Sequence, residues 1–287
     1  MPAARTAARK PAAEPDHKTP TARNAPNAPN VPGVPEAPNP PRRRGRPSKA
    51  DSAIGAEPML SRVAILQHAI QLTKSVPLDQ ISMVQLAKDF GVAPGLIHYY
   101  LGGRDQLVSG VLNDYYRQRL TRIPSLTGDW RADVEAIARL SFEVAVENPG
   151  VSIYVASHNR FRLFQDVEPG EIDYGMEFFN RMTSAFMQGG FTAEQVALAY
   201  HLLAQYLVSA SMAEASRQLP AHHQAFIEKK LGSVSALQYP GARYVSKAFS
   251  RLSSDTAFEE GLRITLDGIA AWQRESRPAR KPRARAA

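Results

Sequence analysis

Residues 81 to 107 read ISMVQLAKDFGVAPGLIHYYLGGRDQL, and the spacing within this stretch decides the fold. Ser82 is a capping residue ahead of a short helix that carries Val84, Leu86, Ala87 and Phe90 on one side, and Gly91 follows where the chain must turn sharply. Pro94 suits the first position of a second helix, which runs through Gly95, Leu96, Ile97, His98, Tyr99 and Tyr100 until Gly102 and Gly103 break it. Two short helices joined at a glycine make a helix-turn-helix. Downstream, a longer helix starts near Arg104 and Asp105 and continues through Leu107, Val108, Val111, Leu112 and Tyr115. Upstream, Ser61 can cap a helix with Ile65, Leu66, Ala69, Ile70 and Leu72 at helical spacing, ended by Pro77. A helix-turn-helix lays its second helix in the major groove, where some side chains read base edges and others hold phosphates. On periodicity alone, the same aromatic helix reads equally well as a corner of a hydrophobic core.

The stretch resembles the TetR family of bacterial transcriptional regulators. Leu86 and Ala87 match that family's packing pair, Gly91 and Val92 its turn, Gly95 a frequent glycine, and Leu107 the core leucine of its fourth helix. Arg104 stands where the family usually has a phosphate-contacting lysine, and Tyr99 and Tyr100 fill positions that commonly meet backbone and groove. The match has departures: Ala93 replaces a Ser or Thr cap, Ile97 and His98 replace Leu-Tyr, and Leu101 replaces phenylalanine. The resemblance implies DNA contacts from Ser82, Lys88, Pro94, Gly95, Leu96, His98, Tyr99, Tyr100 and Arg104. Lys88, Tyr99, Tyr100 and Arg104 would position phosphates, while Pro94, Gly95, Leu96 and His98 would lie closest to base edges, His98 being best suited to a specific hydrogen bond.

Charge is distributed unevenly around this module. The chain has 287 residues and a formal net charge of +8, which favours an anionic partner. Residues 1 to 60 hold ten Lys or Arg against five acids, thirteen of the 22 prolines and no aromatic residue. Residues 274 to 287 hold six basic residues against one glutamate. Both segments have the composition of disordered basic arms, so the body between them is slightly acidic and the tails supply the excess charge. Met1 to Lys10 lacks the apolar core of a secretory signal. Within Arg42 to Lys49, the core Arg44-Gly45-Arg46-Pro47 resembles the AT-hook type of minor-groove arm. Arginines on a proline-stiffened strand fit the narrow minor groove of A·T-rich DNA, although a basic octet also serves non-specific phosphate attraction. About a dozen residues separate it from the helical module, so an extended chain at ~3.3 Å per residue can reach an adjacent groove.

Beyond residue 120 the pattern stays helical. Trp130, Val134, Ile137, Ala138, Leu140, Ser141 and Val144 share a face that ends at Asn148-Pro149-Gly150. Phe142, Tyr154, His158, Phe161, Phe164, Tyr174 and Phe178 form an aromatic-rich stretch that could line an apolar pocket around a small ligand, or simply pack a core. From Thr192 the run AEQVALAYHLLAQYLVSASMAEA is apolar on more than one face, Tyr200 and Leu203 included, and asks for burial beyond one intramolecular contact. Thr256 and Glu259 form a capping-box pair opening a helix with the stripe Phe258, Leu262, Leu266, Ile269 and Trp272, and Gly261 and Gly268 allow close approach. This closing segment resembles that of tetracycline-repressor-like carboxy-terminal domains, which implies a homodimer interface on Tyr200, Leu203, Phe258, Leu262, Leu266 and Ile269. The loop-rich stretch from Gln218 to Ser254, with Pro220, Pro240 and Gly241, then corresponds, by the same resemblance, to the variable segment near the pocket of such domains.

Several chemistries find no support. The chain has no cysteine, which excludes disulfides, thiolate zinc sites and a cysteine nucleophile. No GxSxG, HExxH, Walker A or dinucleotide motif is present, so no catalytic residue, metal or cofactor is expected, and His201 reads as a packed or interface histidine. No apolar run reaches the ~18 residues of a membrane span. The expectation is an all-α chain: a basic arm over residues 1–58, a helix-turn-helix head over 59–120, an all-helical ligand-binding and dimerisation domain over 121–273, and a basic tail over 274–287. Its expected role is a cytoplasmic bacterial repressor, a homodimer on a pseudo-palindromic double-stranded DNA operator, released by a small-molecule effector. An activator or architectural factor without an effector is the alternative, and an enzyme using the aromatic pocket the weaker one.

Overall fold

Ser61 accepts a hydrogen bond from the Ala64 amide and so starts α1 (Arg62–Leu72). Ser82 does the same for the Gln85 amide at the start of α2 (Met83–Asp89). Gly91 ends α2 with φ of 62°, and its N–H reaches the Lys88 carbonyl while that of Val92 reaches Ala87. This closure uses the left-handed conformation that glycine adopts without strain. Pro94 occupies the first turn of α3 (Pro94–Leu101), and α4 (Arg104–Arg122) follows after Gly102 turns at φ 88°. The computed structural model describes residues 60–158 and 163–275, and every regular element among them is helical. The arm motif Arg44, Gly45, Arg46 and Pro47 and the aromatic Phe161 lie outside the described residues.

The remaining elements are α5 (Trp130–Glu147), α6 (Pro149–Ser157), α7 (Tyr174–Gln188), α8 (Ala193–Ala215), α9 (Gln224–Gly232), α10 (Pro240–Ser250) and α11 (Ser254–Glu275). Single 3₁₀ turns span Leu78–Gln80 and Pro220–His223. Two hydrophobic cores meet on α4. The first gathers Ile65, Leu78, Leu86, Ile97, Leu107 and Leu112, and the second gathers Val134, Ile137, Phe178, Phe186, Leu203, Leu262 and Leu266. Tyr115 belongs to the first and its neighbour Tyr116 to the second. The first core also takes in Leu140, Val144, Val151 and Tyr154 from α5 and α6, so the head is packed onto the body rather than tethered to it. Gly150 shows how close this packing is. Its amide donates to the Thr73 carbonyl at 2.9 Å, and a Cβ there would stand 2.1 Å from the Val76 carbonyl oxygen.

Four expectations change. The helix α11 begins at Ser254, with Ser253 receiving the Thr256 amide, so the Thr256–Glu259 capping box does not form. Glu259 instead accepts from Arg139. The segment from Gln218 to Ser254 is a helical hairpin of α9 and α10 rather than a loop, with Pro240 in the first turn of α10. The aromatic and apolar stripe of α11 lies within the protomer's own core: Phe258, Leu262, Leu266 and Ile269 are 5% exposed or less. Gly261 admits the Tyr206 ring of α8, whose hydroxyl donates to the Phe258 carbonyl at 2.6 Å. Finally, α8 is long and apolar enough to cross a membrane by length and composition, although no uninterrupted apolar run announces it. One side of it packs on α5, α6, α7 and α11.

Candidate nucleic-acid interface and ligand cavity

The α3 helix buries Ile97 and Leu101 and leaves the rest of its surface outside. Pro94, Gly95, Leu96, His98, Tyr99 and Tyr100 are all exposed, Tyr99 at 80%. An apolar anchor at two positions one turn apart thus fixes the helix and turns the opposite face outward. Tyr99 and Tyr100 meet edge to face, with ring centroids 5.3 Å apart. The His98 Nδ1 lies 3.1 Å from the Gly102 carbonyl. With Nδ1 donating to that carbonyl, Nε2 is left as the ring nitrogen for another partner. Ala93 caps α3 with no side-chain bond, as expected for a residue without a hydroxyl. Ser82 and Lys88 are exposed at opposite ends of α2.

Arg104 is placed differently from the phosphate contact that the resemblance implies. Its guanidinium reaches back from the first turn of α4 and donates to the Ile81 carbonyl and, at 2.6 Å, to the Leu78 carbonyl. It therefore ties α4 to the turn that leads into α2. On the far side of α2, Asp89 accepts from His68 at 2.8 Å and from Gln85, which holds its carboxyl below the usual range despite the opposing effect of burial.

A cavity lies where α4, α6, α7 and α8 meet. Tyr115, Tyr116 and Arg119 of α4, Ser152 and Val155 of α6, Phe178 and Met182 of α7, and Tyr200, Leu203, Leu207 and Ser211 of α8 line it. The space among these side chains that is wide enough to centre a water molecule is only about 80 Å³. Occupation by a ligand of ordinary size, in pockets of ~300 to 1,000 Å³, would therefore push its walls apart. The lining is mostly apolar, with three phenols and one guanidinium as its main polar groups. Burial raises the Tyr116 phenol far above its ordinary value and pushes that of Tyr200 up to about 12, with Arg119 opposing both shifts. Both hydroxyls therefore stay protonated donors.

Of the described residues read as a ligand pocket, Phe178 lines this cavity and the others are dispersed. Phe142 stacks on Phe258 at 3.9 Å. Tyr154 is buried in the first core and packs against His158 at 3.8 Å. Phe164 meets Phe179, itself edge-on to Tyr200, and Tyr174 packs at the rim of the second core, its amide donating to Asn113. Tyr200 and Leu203, read as interface residues, face the cavity. The lining contributed by α4 was missed because Tyr115, Tyr116 and Arg119 belong to a helix read only as a connector.

Residues 124–272, more than half of the chain, match the family described as the tetracyclin repressor-like C-terminal domain. Tetracycline repressor protein class A from transposon 1721 of Escherichia coli is 24% identical over 221 residues, covering 76% of this chain and 94% of that protein. The HTH-type transcriptional repressor DrrR1 of Streptomyces coeruleorubidus is 24% identical over 234 residues, covering 78% and 80% of the two chains. Among solved structures, apo ActR from Streptomyces coelicolor shares the fold with a TM-score of 0.63 at 20% identity, over 76% of this chain and 98% of that one. ActR in complex with actinorhodin gives 0.63 at 22% identity, over 77% and 100%.

Proposed function

Because the chain belongs to the tetracyclin repressor-like family, we propose that it is a DNA-binding transcriptional repressor released from its operator by a small molecule, and not an enzyme. The observation that carries this reading is the outward face of α3, held on buried Ile97 and Leu101 and joined through α4 to the cavity wall. His98, Leu96, Gly95 and Pro94 would meet base edges, and Lys88, Ser82, Tyr99 and Tyr100 the sugar-phosphate backbone. The Arg44-Gly45-Arg46-Pro47 arm would add minor-groove affinity that depends on salt. Arg104 would act mainly by holding the first turn of α4 against the α2 entry.

The working unit would be a cytoplasmic homodimer presenting two α3 helices ~34 to 36 Å apart on a pseudo-palindromic site. The buried stripe of α11 is committed to the protomer, so the partner would meet the outward residues Leu198 and Leu202 of α8 and Ile264 and Gly268 of α11. Both α4 and α6 line the cavity and pack on the head. A ligand that widens the cavity would favour head positions with a different spacing, and DNA would in turn disfavour that ligand by the same free energy. Genome-wide mapping of bound sites followed by mobility-shift titration tests the reading. A two-fold-related site bound at least ~10³-fold tighter than bulk DNA is expected, whereas uniform affinity across sequences would sink it.

A further inference from the structure

Among the described residues, Arg119 is the one cation of the cavity wall, and no acidic side chain there pairs with it. The neighbouring arginines behave otherwise: Arg117 pairs with Asp114, and Arg122 with Glu143 and Glu147. Instead, the Arg119 guanidinium lies over the Tyr115 ring at 4.2 Å, with Phe178 and Tyr116 at 5.3 and 5.4 Å. One terminal nitrogen donates to the Tyr115 hydroxyl at 2.5 Å. Its Nε is buried and meets no acceptor. Aromatic faces offset part of the cost of removing a cation from water, but they leave its charge without a counter-ion. Two further donors share the space: the Tyr116 and Tyr200 hydroxyls make no hydrogen bond with any described residue.

We propose that this cavity binds a planar aromatic carboxylate, with the carboxylate on Arg119 and the ring system between the aromatic and aliphatic walls. The proposal rests on the repressor reading only in treating the cavity as the effector site. Each part of such a ligand has a counterpart in the cavity wall. A carboxylate accepts two parallel hydrogen bonds from a guanidinium and can take a third from a phenol. The Tyr115, Tyr116 and Phe178 rings, inclined at 66° and 41° to one another, offer aromatic faces and edges between which a ring can wedge, and Met182, Leu203 and Leu207 close the space with side chains that can change rotamer. A cationic ligand would meet an uncompensated guanidinium, and a neutral one would leave it unpaired as it is now. Ala204 and Val208 border both the cavity and an open groove beside His201, Gln205 and Met212, and small side chains there give a way in.

The probes are anthracene carboxylate and the matching anthracene carboxamide, titrated by fluorescence into the full chain and into the Arg119→Met and Arg119→Lys variants. In the wild type the acid should bind at least about tenfold tighter than the amide. Arg119→Met should erase that preference while leaving amide affinity within about twofold, and Arg119→Lys should restore part of it. Unchanged melting and circular dichroism of Arg119→Met show that the variant is folded. Equal binding of acid and amide to the wild type overturns the proposal, as does failure of both to bind at millimolar concentration. An equal loss of both in a folded Arg119→Met would make the residue a packing element and overturn it too. Operator binding is followed in parallel by mobility shift. A retained acid preference without sequence-specific DNA binding would support the proposal and defeat only the repressor reading.

Discussion

At the scale of single residues, two basic side chains that look alike in sequence do different work. Lys88 is exposed at the end of α2 with no ion pair among the described residues, while the Arg104 guanidinium is occupied by two backbone carbonyls. Lys88→Ala should weaken binding to all DNA sequences alike and reduce the slope of log affinity against log salt by about 1, without changing the melting temperature; an unaltered slope removes Lys88 from the phosphate contacts. Arg104→Met should instead lower the melting temperature, because the Leu78 and Ile81 carbonyls lose their donors, at ~1 to 3 kcal/mol. Denaturant unfolding of the two variants separates these roles. Asp133 makes a third case. Burial raises its pKa, but the Thr127 amide and hydroxyl and the Gly128 amide outweigh that and hold it below its usual value. A carboxylate with a depressed folded-state pKa contributes stability above its unfolded value of about 3.9 and loses it as pH falls through the folded value. The melting-temperature gap between wild type and Asp133→Asn should therefore be constant from pH 7 to about 5 and shrink below pH 4; a gap as large at pH 3 as at pH 7 would contradict this.

At the scale of elements, the joint between α6 and the head is a close contact between backbones, in reach of both functional sites. Gly150 begins α6 one residue after Pro149, and its α-carbon faces the carbonyls of Thr73 and Val76 with no space for a methyl group. Ser152 and Val155, on the next turn, already line the cavity. Gly150→Ala must move α6 away from the end of α1, so it should destabilise the chain by ~1 to 3 kcal/mol, as overpacking does. It should also alter DNA affinity even when no ligand is present. Urea unfolding together with a mobility shift checks both, and a variant that is destabilised but binds DNA normally would show that the joint does not carry coupling. The sequence exposes the proline and glycine here only as a helix end. That the same two residues open a new helix against the head depends on the carbonyls they meet.

At the scale of the whole molecule, apolar surface is the guide to assembly. Leu198, Leu202 and Ile264 are 44%, 42% and 60% exposed, and no described element covers them. Leu266, two residues from Ile264 in sequence, is fully buried. Introducing aspartate at Leu202 or Ile264 should therefore yield a folded monomer with weakened operator binding, whereas Leu266→Asp should unfold the chain by placing a charge in the second core. Sedimentation velocity with circular dichroism distinguishes the outcomes. A dimer that survives both surface substitutions would place the interface elsewhere.

The amino-acid sequence by itself determined what is local. Caps at Ser61 and Ser82, the glycine turn at Gly91, the proline opening α3, and the 3.6-residue stripes all act between residues a few positions apart, so helix existence and the helix-turn-helix could be read directly. Only the tertiary structure decided which of several apolar faces is turned inward. The stripe of α11 and the outer rows of α8 have the same residue types and the same period, and burial of one set rather than the other follows from how α5, α7, α8 and α11 stack. The cavity was hidden for the same reason. Its walls come from helices separated by about 80 residues of chain, Arg119 with Tyr115 and Tyr116 on α4 and Tyr200 on α8, and no local period records that packing brings them to one space.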